Sequence, residues 1–240
     1  MTACIRSSLA DRIDQLDWSA ITAALDRFGH ATTGPLLGAE ECREIAGLYD
    51  DESRFRSHVH MTRHGFGSGE YKYFSEPLPS PVAALRADLY PRLAETANRW
   101  QAALGGTAFP ETLNAFRARC HAAGQTRPTP LLLKYGPGDY NCLHQDLYGD
   151  LFFPLQAAFL LSRPGTDFTG GAFVLTEQRP RMQSRAEVVE LAQGEAVIFA
   201  VNQRPVMGKR GTYRVALRHG VSRLRSGSRF TLGIIFHDAR

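Results

Sequence analysis

In the stretch YNCLHQDLYGD, residues 140–150, a histidine and an aspartate are separated by one residue. Side chains alternate along an extended chain, so His144 and Asp146 face the same way and can reach one ion. With eight histidines in 240 residues, such a triplet also arises by chance, and the pair alone carries little weight. A third donor is offered by His219, the last histidine before the closing segment RFTLGIIF. Ten positions beyond it stands Arg229, with Thr231 on the same face. Two histidines and one carboxylate suit Fe(II) and leave three cis positions open, two for the keto acid of 2-oxoglutarate and one for O2. The far carboxylate of that co-substrate needs a fixed cation. Arginine offers it a planar fork, and a neighbouring hydroxyl adds a further hydrogen bond. Arg229 and Thr231 supply both groups.

Other stretches compete for attention. His58, His60 and His64 in HVHMTRH include an HxH pair, but no carboxylate lies at a short offset, and ordinary polar histidines are the expectation. GFGSGE imitates a glycine-rich nucleotide loop, yet aromatics follow it where a helix should begin. Residues 63–74 therefore read as a lid loop over the site. There Arg63, Tyr71, Lys72 and Tyr73 interleave cations and aromatics as a base-stacking surface does, although strand-core residues have the same pattern. Tyr135 and Asn141 flank the metal strand, where contact with 2-oxoglutarate and plain packing are both open. Basic segments RPRMQSR (179–185) and GKRGTYR (208–214) suit phosphates or solvent equally.

These residues need elements to position them. Apolar residues recur at helical spacing over 17–28, 38–50, 81–104 and 111–124, the third a long helix in which Pro91 leaves an interruption open. Beyond residue 128 the period changes. About eight short runs rich in β-branched and aromatic residues are separated by Gly, Pro, Asn or Asp, the pattern of an antiparallel sandwich or barrel. The expectation is an α+β chain. One domain covers 1–240, with a mostly helical part over about 1–127 and a jelly-roll core over about 128–238.

Composition narrows the classes. The chain is long enough to bury a core, and no apolar stretch approaches a membrane span. Charges stand in MTACIRSSLADRIDQLDW where a signal peptide would be apolar, and the four cysteines lack framework spacing. A cytoplasmic protein with reduced thiols is the expectation. The net charge is +4, and arginine far outnumbers lysine. A basic surface attracts nucleic acid, while codon bias gives the same composition.

The combination of HxD, a distal histidine and Arg-x-Thr resembles the Fe(II)/2-oxoglutarate-dependent dioxygenases, across roughly residues 128–238. The GGAFVLTE turn at Gly170–Gly171 and the strand QGEAVIF match prolyl-hydroxylase-like members. More narrowly, RHGFGSGEYKYF, LHQDLYGDLFFPLQ, EQRPRMQSR and IIFHDA resemble a bacterial family of oxygenases described as acting on damaged, alkylated nucleic acid. The resemblance implies a double-stranded β-helix core wrapped by N-terminal helices. It implies Fe(II) on His144, Asp146 and His219, 2-oxoglutarate on Arg229 and Thr231, and O2 as second co-substrate. It further implies alkylated DNA or RNA as substrate and repair by oxidative demethylation. A peptide or small-molecule hydroxylase on the same core, and a non-catalytic metal- and 2-oxoglutarate-binding sensor, are the rival readings.

Overall fold

A computed structural model describes residues 7–240. Its first half contains helices α1 (Leu9–Asp14), α2 (Trp18–Phe28), α3 (Ala39–Gly47), α4 (Ser80–Leu104) and α5 (Leu113–Ala122). Helix α2 begins where the Asp17 carboxylate accepts the Ala20 N–H, and it ends at Gly29 in the left-handed region. The start of α5 is capped by the Thr112 hydroxyl. Helix α4 is the long helix expected, and it runs unbroken through Pro91, where an interruption was open. Proline forfeits one backbone bond and crowds the preceding turn, a cost of about 3 kcal/mol. Buried Leu85, Leu89, Tyr90, Leu93 and Trp100 flank it on both sides. At about 1.5–3 kcal/mol per buried large apolar side chain, packing outweighs the proline.

The first half also contributes strands, which the helical reading did not include: β1 (His30–Pro35), β2 (Phe55–His60), β3 (Gly67–Ser68) and β4 (Glu70–Phe74). Beyond residue 128 follow β5 (Leu131–Tyr135), β6 (Tyr140–His144), β7 (Leu155–Leu160), β8 (Phe168–Gly170), β9 (Phe173–Gln178) and β10 (Arg185–Val189). The series closes with β11 (Glu195–Ala200), β12 (Gln203–Gly208), β13 (Gly211–Val221), β14 (Leu224–Gly227) and β15 (Arg229–Ile234). A seven-stranded sheet has the order β1-β11-β7-β15-β5-β4-β2. A second sheet runs β10-β9-β13-β6-β3, with β12 paired to β13, and all pairings between strands are antiparallel. This is the mixed α+β, jelly-roll architecture expected. The N-terminal segment does more than wrap the core, because β1, β4 and β2 extend the larger sheet at both ends.

One outcome is a correction. Residues 63–74 are not a lid loop: a 3-10 turn over Met61–His64 leads into β3 and β4. β4 lies between β2 and β5, so its backbone is paired on both sides. The glycines that suggested flexibility instead permit close approach. A Cβ on Gly67 would lie 2.4 Å from the Tyr140 carbonyl oxygen across the β3–β6 pair.

The helices cover the outer face of the larger sheet, where Leu85, Leu89 and Tyr90 join Leu232, Ile234 and Phe236 in one apolar cluster. At the chain's far end the Asp238 carboxylate is fully buried and accepts from Arg86 (2.7 Å), Arg117 (3.0 Å) and His121 (2.8 Å). That network pins the last residues of IIFHDA across the helices, and it is where most of the motif's chemistry is spent. Cys42, Cys120 and Cys142 are free thiols, and Cys4 lies outside the described residues. Among the described residues no helix is long and apolar enough to cross a membrane.

Candidate metal centre and co-substrate pocket

The two sheets face one another, and the space between them is where the chemistry-bearing residues meet. His144 is the last residue of β6, and β13 places His219 directly opposite it. Their ring centroids are 4.2 Å apart. Asp146 follows β6 by two residues and turns inward between them. Its Oδ1 lies 3.3 Å from His144 Nε2, and its Oδ2 lies 3.3 Å from His219 Nε2. Cis donors about 2.1 Å from one ion are separated by about 3 Å, so these spacings suit a shared metal. The three donor atoms lie within 4.8 Å of one another.

Local contacts select the ligand atoms. His144 Nδ1 is 2.8 Å from the Cys142 carbonyl and donates to it, which leaves Nε2 free to bind as a neutral imidazole. Asp146 is held from behind: Tyr148 donates its hydroxyl to Oδ1 at 2.7 Å, and Gln156 on β7 donates its amide to Oδ2 at 2.9 Å. Burial alone would raise the Asp146 carboxyl, but its contacts with both histidines outweigh that and hold it well below the usual carboxylate range. Burial pushes His219 down, with the adjacent His144 adding to the effect. His144 also loses solvation, yet Asp146 prevails and raises it.

Across the cavity, β15 presents Arg229 and Thr231 from the larger sheet, both buried. The guanidinium Nη1 donates to the Thr231 hydroxyl at 2.6 Å, and Arg229 Nε has no partner. Among the described residues no carboxylate pairs with Arg229. Burial pushes it down to about 10, opposed only by the nearby Tyr135. A cation buried without a counter-ion is costly, and the missing partner is an anion. Gly171 makes room for the arginine side chain: its backbone is left-handed (φ 60°), and a Cβ there would meet Arg229 Cδ at 3.0 Å.

Both groups line one cavity of about 300 Å³, whose walls include Leu131, Leu133, Ala158, Phe173 and Phe199. Polar atoms around it await partners, since His219 Nδ1, Gln156 Oε1 and Arg229 Nε are buried without hydrogen bonds. Buried polar atoms are ordinarily satisfied, so three beside one cavity mark a site shaped for a polar ligand. Tyr135 and Asn141 line it too, the Asn141 amide lying 3.4 Å from the Tyr135 hydroxyl. The donor set and the unpaired arginine fit Fe(II) and a keto diacid.

The residues expected to contact substrate are divided by the sheet. Tyr71 faces the cavity. Tyr73 is buried under the Arg56 guanidinium, 4.5 Å from its ring centroid, and packs edge-on against Tyr71 and Tyr148. Lys72 points to the opposite face, where its ammonium binds Glu52 (2.5 Å) and the Tyr49 carbonyl (2.9 Å) at 3% exposure. It cannot reach a nucleic acid backbone, and the expectation for it is corrected. Period-2 alternation places Lys72 opposite Tyr71 and Tyr73, so these consecutive residues do not form one surface. Arg63 is exposed on the turn before β3. Of the basic loops, Arg179 and Arg185 turn back to Glu177, at 2.8 and 3.8 Å.

Sequence reasoning missed four residues around the cavity. Tyr148 extends the same alternation by two residues past Asp146, a signal that was available. Gln156 carries none, because its approach depends on how β7 packs. Phe66 and Leu143 line the mouth and are nearly half exposed, at 48% and 46%, and the His64 ring stacks on Phe66 at 5.3 Å.

Comparison with known proteins places this geometry. A family model described as an oxygenase catalysing oxidative methylation of damaged DNA matches residues 69–239. Two uncharacterized proteins of Mycobacterium tuberculosis, from two strains, are each 52% identical over 167 residues, which is 69% of this chain and 72% of theirs. Among solved structures, an oxidoreductase of the 2-oxoglutarate-Fe(II) oxygenase family from Burkholderia pseudomallei aligns with a TM-score of 0.53 at 15% identity, over 99% of this chain and 95% of that one. A Trichoplax adhaerens prolyl hydroxylase, solved with a hypoxia-inducible-factor peptide fragment, aligns with a TM-score of 0.52 at 12% identity, over 95% of this chain and 90% of that one. At such identities the structural matches speak for the fold alone.

Proposed function

Because the chain belongs to the family of oxygenases described as catalysing oxidative methylation of damaged DNA, we propose that it oxidises methyl groups on alkylated nucleic acid and so removes them. The family description speaks of methylation. The pocket supports the reverse direction, since a metal and a keto diacid would turn O2 into an oxidant and supply no methyl donor. When bound, Fe(II) and 2-oxoglutarate together activate O2 to insert one oxygen atom into a substrate C–H bond, with succinate and CO2 released. An N-methyl group hydroxylated in this way leaves as formaldehyde and restores the base nitrogen.

The chain's own residues take the remaining roles. His144, Asp146 and His219 are the metal ligands. Arg229 and Thr231 hold the far carboxylate of 2-oxoglutarate, and Tyr135 and Asn141 lie along its flank. The observation that carries this reading is Arg229: a buried guanidinium without a protein counter-ion, facing the His-Asp-His cluster across one cavity. The apolar walls exclude water and strengthen that ionic contact. Tyr148 and Gln156 position the Asp146 carboxylate.

The Tyr148 role has its own test. Tyr148→Phe removes one hydrogen bond to a ligand carboxylate, worth about 1–1.5 kcal/mol, and iron affinity should fall roughly tenfold. Anaerobic iron titration reads this. Unchanged affinity would show that Asp146 does not depend on Tyr148.

To reach a base inside this cavity the enzyme must take single strands or flip the nucleotide out, replacing its stacking with side chains. The exposed aromatic at the mouth, Phe66, suits that task better than the buried Tyr73. Methylated single- and double-stranded oligonucleotides should stimulate 2-oxoglutarate turnover and release formaldehyde, with binding that weakens as salt rises. Phe66→Ala should cost about 1–3 kcal/mol in nucleic-acid-coupled turnover, the value of one stacked base, and spare uncoupled succinate formation. Coupling to a peptide or metabolite, with no formaldehyde from any oligonucleotide, would assign the protein to a hydroxylase role instead.

A further inference from the structure

Apart from the cavity between the sheets, the fold assembles a second cluster of metal-capable side chains. We propose that His58, His60 and Glu70 form a second metal site that takes a divalent transition cation, with Zn(II) the best match. This inference does not rest on the oxygenase reading. His58 and His60 alternate with Val59 on β2, so both project from one face of the strand. The β2–β4 pairing sets His60 directly opposite Glu70 and His58 opposite Lys72. Glu70 alternates with Tyr71, which faces the cavity. The trio therefore stands on the other face of the sheet from His144, Asp146 and His219.

The three side chains converge on one point. Glu70 Oε2 lies 2.8 Å from His58 Nε2 and 3.6 Å from His60 Nδ1, and the two rings are 4.4 Å apart. Donors about 2.0–2.1 Å from a tetrahedral ion lie roughly 3.3 Å apart, a value these two distances bracket. The second carboxylate oxygen, Oε1, faces Lys134 Nζ at 3.8 Å, while Oε2 is in hydrogen-bond contact with His58 Nε2, a contact that an ion between them would replace. The other cation on this face, Lys72, is committed to Glu52 and the Tyr49 carbonyl. The Tyr49 ring meets His58 edge-on, with centroids 6.3 Å apart, and limits its rotation.

Two imidazoles and one carboxylate are the donors of a three-ligand zinc site with a fourth position for water. The nitrogen majority favours Zn(II), Co(II) or Ni(II) over Mg(II) or Ca(II), which prefer all-oxygen shells. Partial exposure, 32% for the His58 side chain and 43% for His60, admits both an ion and that water. β2 is the edge strand of the larger sheet, so an ion here would clamp the edge to β4.

The full chain, stripped of metal, should bind two equivalents of Co(II) under anaerobic titration. One equivalent should show the intense visible bands of four-coordinate Co(II), and the other the weak bands of a six-coordinate ion. His58→Ala/His60→Ala should lose the intense-band equivalent and keep the other. His144→Ala should do the reverse, and Zn(II) should raise the melting temperature of that variant but not of the triple variant lacking all three histidines. Should the double variant fail to fold, Glu70→Gln, checked by circular dichroism, should weaken the intense-band equivalent at least tenfold. The proposal is overturned if His144→Ala binds no Co(II), if the double variant still binds two equivalents, or if folded Glu70→Gln binds as tightly as the parent.

Discussion

Replacing His219 with alanine is expected to abolish stoichiometric Fe(II) binding and, with it, all succinate release from 2-oxoglutarate. His219 sits in a paired strand, opposite His144, with its side chain 8% exposed. No histidine, cysteine or carboxylate other than His144 and Asp146 joins it in a metal-capable group among the described residues, so no substitute ligand is at hand. Removing even a group that only supports a metal ligand costs 10–100-fold in affinity, and loss of one of three ligands costs more. His144→Ala should behave alike. Iron quantified after anaerobic loading and desalting, together with succinate detection, makes the measurement. Tight stoichiometric iron in both variants would remove these residues from the site. Circular dichroism should show both variants folded, because truncating a ring at the cavity wall leaves the apolar cluster beneath the helices intact.

Arg229→Ala separates the co-substrate from the metal. The variant should load iron normally and bind 2-oxoglutarate more weakly by about 2–5 kcal/mol, the cost of truncating one side of a buried charge pair. At 1.4 kcal/mol per decade this is a fall of roughly 30- to several-thousand-fold. Arg229→Lys should recover only part of it, because an ammonium keeps the charge and loses the fork. Stability should respond in the opposite sense. Burial depresses the folded-state value of Arg229 to about 10, so holding it charged opposes folding at every pH below that value. The penalty shrinks only as pH rises from about 10 toward the ordinary arginine value. The variant without 2-oxoglutarate should therefore melt no lower than the parent at neutral pH, unlike a variant that orphans Asp238 from Arg86. The parent should gain melting temperature on adding 2-oxoglutarate, and Arg229→Ala should not. Unchanged 2-oxoglutarate affinity would place the anchor elsewhere.

The cluster at His58, His60 and Glu70 shows the limit of reading offsets along a chain. The HxH pair is visible in the sequence, but no carboxylate stands near it in the numbering. Glu70 lies across a hairpin, and the register of β2 against β4 decides which residues meet. A one-residue slip of either strand would put Glu70 on the wrong face.

The sequence by itself determined what depends on local alternation and local propensity. His144 with Asp146, and Arg229 with Thr231, are pairs two residues apart on extended chain, and the period of a strand makes each pair share a face. The helices were legible from apolar spacing and from caps such as Asp17. The strands of the C-terminal half were legible as a class, although the expectation of about eight falls short of the eleven from β5 to β15. Only the tertiary structure decided what depends on register between distant strands. It set His219 against His144, brought Gln156 to Asp146, and drew β1 and β4 from the helical half into the larger sheet. Alternation is written into each strand's backbone, while register is chosen by how two sheets and a layer of helices close over their apolar faces.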